Sequence, residues 1–239
     1  MAQPSAPPDV AAADASTSLP TTSADLEVLR SVGTWLDAGH HVWLATVLAT
    51  YGSAPRPVGS MAAINGLGQV VGSVSGGCVE DDLVDWLVRD ARASSEARLL
   101  VYGRDADERS RLKLPCNGQI DVWLEPVTAE RFEPLPLALE QHPLIVRRIN
   151  LRTGDWDVRE AGPATRTNRN EHEFEQLLGP RFRLVLIGAS EVSRYLAPIA
   201  RTLGFAVEVI DPRQEYLSTW PHAGCTLHAQ MPDDVLLDH

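Results

Sequence analysis

The chain has 239 residues, of which 44% are hydrophobic and 22% charged, and its formal net charge is −11. This balance is typical of a globular protein with one large or two small domains. The sequence contains no run of about 18 apolar residues, which argues against a transmembrane helix. An acidic surface repels nucleic acids and anionic membranes, so neither is an expected partner.

The three cysteines, Cys78, Cys116 and Cys225, lie far apart and form no CxxC pair. Their spacing predicts neither a zinc ribbon nor a disulfide framework, and such thiols are typical of a reducing compartment. The N-terminus has no basic residue before Arg30 and no apolar segment of the signal-peptide kind. We therefore expect a cytoplasmic protein.

A first domain is predicted over residues 23–160, after a tail over residues 1–22 whose Ala, Pro, Ser, Thr and Asp content predicts disorder. Apolar residues at helical spacing predict a first helix that ends near Gly39. A strand over residues 41–50 is apolar on both faces and is expected at the centre of a sheet. The elements predicted next are a hairpin over 61–74, a helix after Gly77, strands over 98–102 and 119–125, and a hairpin over 144–160.

Polar residues 161–180 are interpreted as a linker to a second domain over residues 181–239. This domain opens with a strand, a helix and a second strand over 183–210, a βαβ unit of the Rossmann type. Only 29 residues follow Ile210, so we expect a partial Rossmann domain, either truncated or minimal. The predicted fold class is α/β, with a mixed-sheet domain before this unit. The free edge of so short a sheet would favour a homodimer or docking on the first domain.

Three glycine-containing segments of the first domain are candidates for chemistry. The first is the arginine loop (residues 51–60), in which prolines fix the backbone on both sides of Arg56. A guanidinium held in this way suits a bidentate contact with phosphate. On the pattern alone, a solvated arginine in a Pro-rich turn is the favoured interpretation.

The second segment is the thiol loop (residues 73–78), which reads Ser-Val-Ser-Gly-Gly-Cys and opens a helix. Backbone N–H groups at a helix start attract anions, and the same position favours a thiolate. The acids Glu80, Asp81 and Asp82 act in the opposite direction. An anion-binding thiol loop and a buried cysteine at a tight turn are equally good interpretations.

The third segment, the Cys116 loop (residues 114–118), places a second glycine-flanked cysteine just before a strand. Two loop cysteines could serve metal, sulfur or redox chemistry, or could be two unrelated small residues. Soft thiolates suit molybdenum, copper or sulfur carriage better than calcium or magnesium. No histidine pair has HxH or HExxH spacing, so no histidine is assigned to a metal.

The second domain carries a degenerate dinucleotide fingerprint over residues 188–193, Gly-Ala-Ser-Glu-Val-Ser. Ser190 puts a side chain where the backbone would meet a pyrophosphate, and Glu191 adds negative charge at the helix start. Asp211 does lie where a ribose-binding acid is expected. The pattern disfavours NAD(P) and favours a βαβ unit used for packing or dimerisation.

Taken in order, the stretches GSAPR (52–56), GSVSGGCVE (72–80) and PCNG (115–118) resemble the XdhC/CoxI family. Its members are accessory proteins for molybdenum hydroxylases such as xanthine dehydrogenase and carbon monoxide dehydrogenase. The resemblance covers residues from about 24 to 126 and from about 183 to 213, the latter similar to the family's Rossmann domain. Asn117, Ser190 and Glu191 depart from the family's usual motifs.

The resemblance implies a protein that binds molybdenum cofactor (molybdopterin) transiently, assists its sulfuration and hands it to an apo-molybdenum hydroxylase. It implies six cofactor-binding residues, all in the three segments: Cys78, Cys116, Arg56, Ser53, Gly76 and Gly77. The two cysteines would contact the cofactor's molybdenum, whereas the guanidinium and the two glycine amides would face the pterin phosphate. A cysteine desulfurase would be a further partner.

The leading interpretation is therefore a cofactor-handling chaperone that does not turn over a substrate. An NAD(P)-dependent oxidoreductase rests only on the degenerate fingerprint and Asp211. A cysteine-based sulfurtransferase would use Cys78 or Cys116 as nucleophile and would need a base within hydrogen-bond reach. No histidine lies near either cysteine in the sequence.

Overall fold

A computed structural model of the chain describes residues 24–89, 96–105, 118–141, 144–162, 165–180 and 182–237. The predicted tail, Cys116 and Asn117 lie outside these ranges. The helices are α1 (Ala24–Asp37), α2 (Cys78–Arg89), α3 (Ala129–Phe132), α4 (Pro134–Gln141), α5 (Glu191–Thr202), α6 (Gln214–Ser218) and α7 (Pro232–Leu237). None of the helices in the described ranges is both long and apolar enough to cross a membrane.

The strands fall into three sheets. The first sheet contains β1 (Val42–Tyr51), β2 (Met61–Asn65), β3 (Val70–Gly72), β4 (Arg98–Tyr102) and β5 (Gln119–Val127). The second contains β6 (Ile145–Asn150), β7 (Trp156–Glu160), β8 (Asn168–Arg169) and β9 (Glu173–Leu178). The third contains β10 (Phe182–Ile187), β11 (Phe205–Ile210) and β12 (Thr226–His228).

The first sheet is antiparallel, in the order β3-β2-β1-β5-β4. The predicted central strand is confirmed, because β1 is buried along most of its length between β2 and β5. The predicted α1 is also confirmed; its end is followed by Gly39 at φ +77°. Apolar faces of α1 and α2 pack on opposite sides of this sheet, α1 through Leu29 and Val32 and α2 through Val79 and Leu83.

The second sheet, in the order β7-β6-β9-β8, packs on the first through a shared apolar cluster. Leu48 and Trp123 come from the first sheet, and Ile149 and Phe174 from the second. The interpretation of residues 161–180 as a linker therefore needs correction, because they supply β8 and β9, and β9 pairs with β6 over its whole length. Their polar composition misleads, because the polar Gln176 is buried and accepts a hydrogen bond from Arg147.

The third sheet is parallel, in the order β10-β11-β12, and α5 crosses from β10 to β11. It has its own apolar core, in which Ala197 and Ala200 of α5 pack on Leu186, Val207 and Val209. The predicted βαβ unit is present and is extended by β12 and two short helices. The predicted α/β class, with a βαβ unit in the second half of the chain, is confirmed. The sheet before that unit was expected to be mixed, whereas the described strand pairs of the first two sheets are all antiparallel.

Candidate cofactor-binding site

The arginine loop and the thiol loop lie against each other. The Nε atom of Arg56 donates to the backbone oxygen of Ser73 at 3.1 Å. A Cβ added at Gly76 would meet the Pro55 ring at 3.7 Å, an ordinary van der Waals distance. Two segments that are separate in the sequence thus form one surface, and Arg56 joins them.

The last residue of the Cys116 loop packs against the same surface. A Cβ added at Gly118 would lie 2.8 Å from the backbone oxygen of Tyr51 and 3.3 Å from that of Ser53. Only glycine permits this approach, because real Cβ atoms do not come so close to a carbonyl oxygen. The described end of the third segment is therefore beside the arginine loop.

Arg56 keeps hydrogen-bonding capacity for a ligand. The residue is half-buried, and Ser53 in the same loop is exposed. The bond from Nε to Ser73 fixes the guanidinium plane, while its terminal nitrogens have no acceptor among the residues that the structure describes. A planar fork with open N–H groups suits a phosphate, which favours the binding interpretation over a solvated turn residue.

The thiol loop is organised around the carboxylate of Glu80, which is 5% exposed. Its Oε1 accepts from Ser73 Oγ at 2.6 Å, from the Val74 amide at 2.7 Å and from the Ser75 amide at 3.0 Å. Its Oε2 accepts from the Gly77 amide at 3.0 Å and from Ser75 Oγ. The carboxylate therefore fills the cradle of N–H groups at the start of α2.

Five hydrogen bonds outweigh the cost of burying this charge. Burial by itself would raise the pKa of Glu80, but the side-chain hydroxyls of Ser73 and Ser75 and the backbone amide of Ser75 lower it to about 2. Glu80 is thus ionised at neutral pH. From the sequence, Glu80 was expected only as a first-turn charge, and its role as the centre of the loop was missed.

The glycine amides of the thiol loop already have acceptors within the protein. The Gly77 amide donates to Glu80, and the Gly76 amide donates to Ser73 Oγ at 2.8 Å. A phosphate could use these two amides only if Glu80 and Ser73 released them. The predicted phosphate contact through Gly76 and Gly77 therefore competes with the loop's own hydrogen bonds.

Cys78 is the first residue of α2 and is half-buried beside this loop. The other described cysteine, Cys225, packs at the core of the βαβ unit.

Across the described ranges, no group of three or more His, Cys, Asp or Glu side chains could hold a metal ion. The residues present fit a group that combines a soft metal with an anion, because they offer a thiol, a guanidinium and an exposed hydroxyl.

Asp211, the acid predicted at a ribose-binding position, is hydrogen-bonded within the protein. Asp211 is 1% exposed, and its Oδ1 and Oδ2 accept from Arg213 Nε at 2.9 Å and Nη2 at 2.8 Å. Its Oδ2 also accepts from the Ala189 amide at 2.9 Å. The Arg213 guanidinium holds the pKa of Asp211 well below its usual range. Ser190 caps α5 by accepting from the Ser193 amide, so both fingerprint positions serve the fold.

The fold and the loops define an α/β protein in which a guanidinium lies beside the loop that ends in a cysteine. Residues 35–103 match the model of the XdhC and CoxI family. The predicted resemblance to this family is thereby confirmed over this segment.

Two curated relatives extend the match beyond the family segment. The chain is 27% identical over 220 residues to a protein of Bacillus subtilis described as a probable xanthine dehydrogenase subunit, covering 81% of this chain and 66% of the relative. It is 29% identical over 201 residues to the molybdenum cofactor insertion chaperone PaoD of Escherichia coli, covering 77% and 57%. The chain thus spans less than two thirds of the length of each relative.

A solved structure shows the same fold. A xanthine dehydrogenase of Bacillus halodurans matches with a TM-score of 0.60 over 89% of this chain and 70% of its own. The sequence identity is 24%, so this likeness supports the architecture alone.

Proposed function

We propose that this chain binds molybdenum cofactor as cargo and assists its insertion into an apo-molybdenum hydroxylase. The family match and the likeness to a molybdenum cofactor insertion chaperone support a maturation role. The observation that carries the proposal is the contact between Arg56 and Ser73, which sets a guanidinium beside the loop that ends in Cys78. A cationic fork and a thiol on one surface suit a cargo that is both anionic and thiophilic.

In this proposal, each loop residue has a separate task. Arg56 binds the pterin phosphate through its open N–H groups, and the exposed hydroxyl of Ser53 lies in the same loop. Cys78 offers sulfur to the molybdenum, the soft centre that the cargo supplies. Glu80 keeps the thiol loop in shape and occupies its amides. Arg56 is therefore the principal phosphate donor, ahead of the Gly76 and Gly77 amides.

Finer parts of the proposal concern handling and partners. The bound cofactor would be presented for sulfuration, with a cysteine desulfurase as the sulfur source, before transfer to the client enzyme in the cytoplasm. Cys116 would be a second thiol contact. A homodimer would form through the βαβ unit, where β10 pairs only with β11 among the described strands.

Retention of the cofactor by the purified protein tests the proposal. Protein incubated with molybdenum cofactor is passed through gel filtration, and the pterin in the protein peak is measured by fluorescence. Cys78→Ala should lower retention, and the Cys78/Cys116 double variant should lower it further. Cys225→Ala is the matched control and should retain as much cofactor as the parent. Equal retention by the double variant and the parent would contradict the thiol contact.

A further inference from the structure

A network of three buried polar side chains joins the two sheets of the first domain. Arg147 on β6, Glu125 on β5 and Gln176 on β9 are each 0% exposed. Arg147 donates from Nη2 to Glu125 and from Nη1 to Gln176 Oε1 at 3.3 Å. Gln176 thus has its oxygen held by a buried cation.

The other end of the Gln176 amide reaches the arginine loop. Its Nε2 donates to the backbone oxygen of Gly59 at 2.8 Å, across 117 positions of sequence. Gly59 also donates to the Val47 oxygen at 2.8 Å, and the Val47 amide donates to the Ser60 oxygen at 2.9 Å. The C-terminal end of the loop is therefore fixed both to β1 and to the second sheet.

Stability alone does not account for such a network. Buried ion pairs lose much of their attraction to desolvation, and apolar replacements of similar volume are often neutral or stabilising. This network instead ends on a loop carbonyl three residues from Arg56, with Pro57 limiting the freedom of the intervening backbone. Its geometry is suited to placing the loop.

We propose that Gln176 is a positioning residue for the cofactor-binding loop, held in place by Arg147 and Glu125. The inference rests on the proposed function, because Arg56 is the residue whose placement matters. An uncharged amide accepts from Arg147 and donates to Gly59 at the same time. Methionine fills a similar volume but can make neither bond, whereas glutamate can accept from Arg147 and presents an ionised oxygen to the Gly59 carbonyl.

Hydrogen exchange and cofactor binding together test this role. In Gln176→Met, the amides over residues 56–60 should exchange about tenfold faster, because the hydrogen bond from Gln176 to the Gly59 carbonyl, which fixes this backbone, is lost. Gln214→Met, at an exposed position of α6, is the matched control and should exchange like the parent. Gln176→Glu serves as the second variant if Gln176→Met does not fold, and it should also loosen the loop.

A double-mutant cycle separates positioning from a general structural role. Gln176→Met should weaken cofactor binding about tenfold, and adding it to Arg56→Lys should cause little further loss, because both changes act on one contact. Additive losses, or unchanged exchange over residues 56–60 in both Gln176 variants, would overturn the inference. If the parent retains no cofactor, the proposed function fails, while the exchange result still decides the role of Gln176.

Discussion

Glu80→Gln is the change that most directly tests the architecture of the thiol loop. Glutamine has the shape of glutamate, but its amide nitrogen is a donor and would face the N–H and O–H donors of the cradle. Either the Oε2 contacts with Gly77 and Ser75 or the Oε1 contacts with Ser73 and Val74 would be lost. Charge-assisted bonds are also replaced by weaker neutral ones.

The magnitude follows from the pKa of Glu80. A value lowered from 4.5 to about 2 corresponds to about 3 kcal/mol of free energy of unfolding at neutral pH, an order-of-magnitude figure. Because the folded-state pKa is depressed, this stabilisation is fully present above pH 4.5 and declines as the pH falls toward 2. By pH 3 about 1 kcal/mol should remain.

Urea denaturation of the parent and Glu80→Gln, at pH values from 7 to 3, measures this effect. The difference in free energy of unfolding should be largest at pH 7 and shrink steadily with acid. Asp81→Asn is the matched control, since Asp81 is an exposed acid in the same first turn, and it should cost less than about 1 kcal/mol. A Glu80→Gln variant as stable as the parent, or a difference independent of pH, would refute the reasoning.

Three further predictions concern binding and assembly. Arg56→Lys keeps the charge but loses the planar fork, so calorimetry should show cofactor affinity reduced about ten- to a hundredfold; equal affinities would make Arg56 a solvated loop residue. NAD(P) at millimolar concentration should not raise the melting temperature, because Asp211 is already bonded; a rise abolished by Asp211→Ala would contradict this. Val192, Tyr195 and Ile199 are exposed on α5 and should form the contact surface of a homodimer. Ile199→Glu should dissociate this dimer, which light scattering would detect as a lower mass than that of the parent. Equal masses for the two proteins would exclude this surface.

The first sheet could be predicted from the sequence because its elements carry local signals. An uninterrupted apolar strand predicts a central position, and β1 occupies one. In the second sheet, β6 and β7 could be predicted as the hairpin over 144–160. Its strands β8 and β9 could not, because their burial depends on distant pairs. Alternating polar residues on β5 are typical of a strand with one face in water, yet Asp121 and Glu125 are buried and pair with Arg169 and Arg147. These partners lie 48 and 22 residues away in sequence, respectively.

The residue types of the site could be predicted from the sequence, but the hydrogen bonds that connect these residues could not. Glycines and prolines marked the loops, and the structure brings the arginine loop and thiol loop together. The role of Glu80 could not be predicted from a capping-box motif. Such a motif normally begins with Ser or Thr three residues before the Glu, whereas Gly77 holds that position before α2. The reciprocal bonds come instead from Ser73 and Ser75, four and two positions before Gly77.

Hydrogen exchange with and without added molybdenum cofactor tests the central claim most directly. The proposal predicts slower exchange over residues 53–56 and 73–78 when the cofactor is bound, with no change over residues 182–237. The same protection should be weaker in Arg56→Lys and Cys78→Ala. Retained cofactor that protects only residues 182–237, or protection over the two loops that neither variant reduces, would contradict the proposed site.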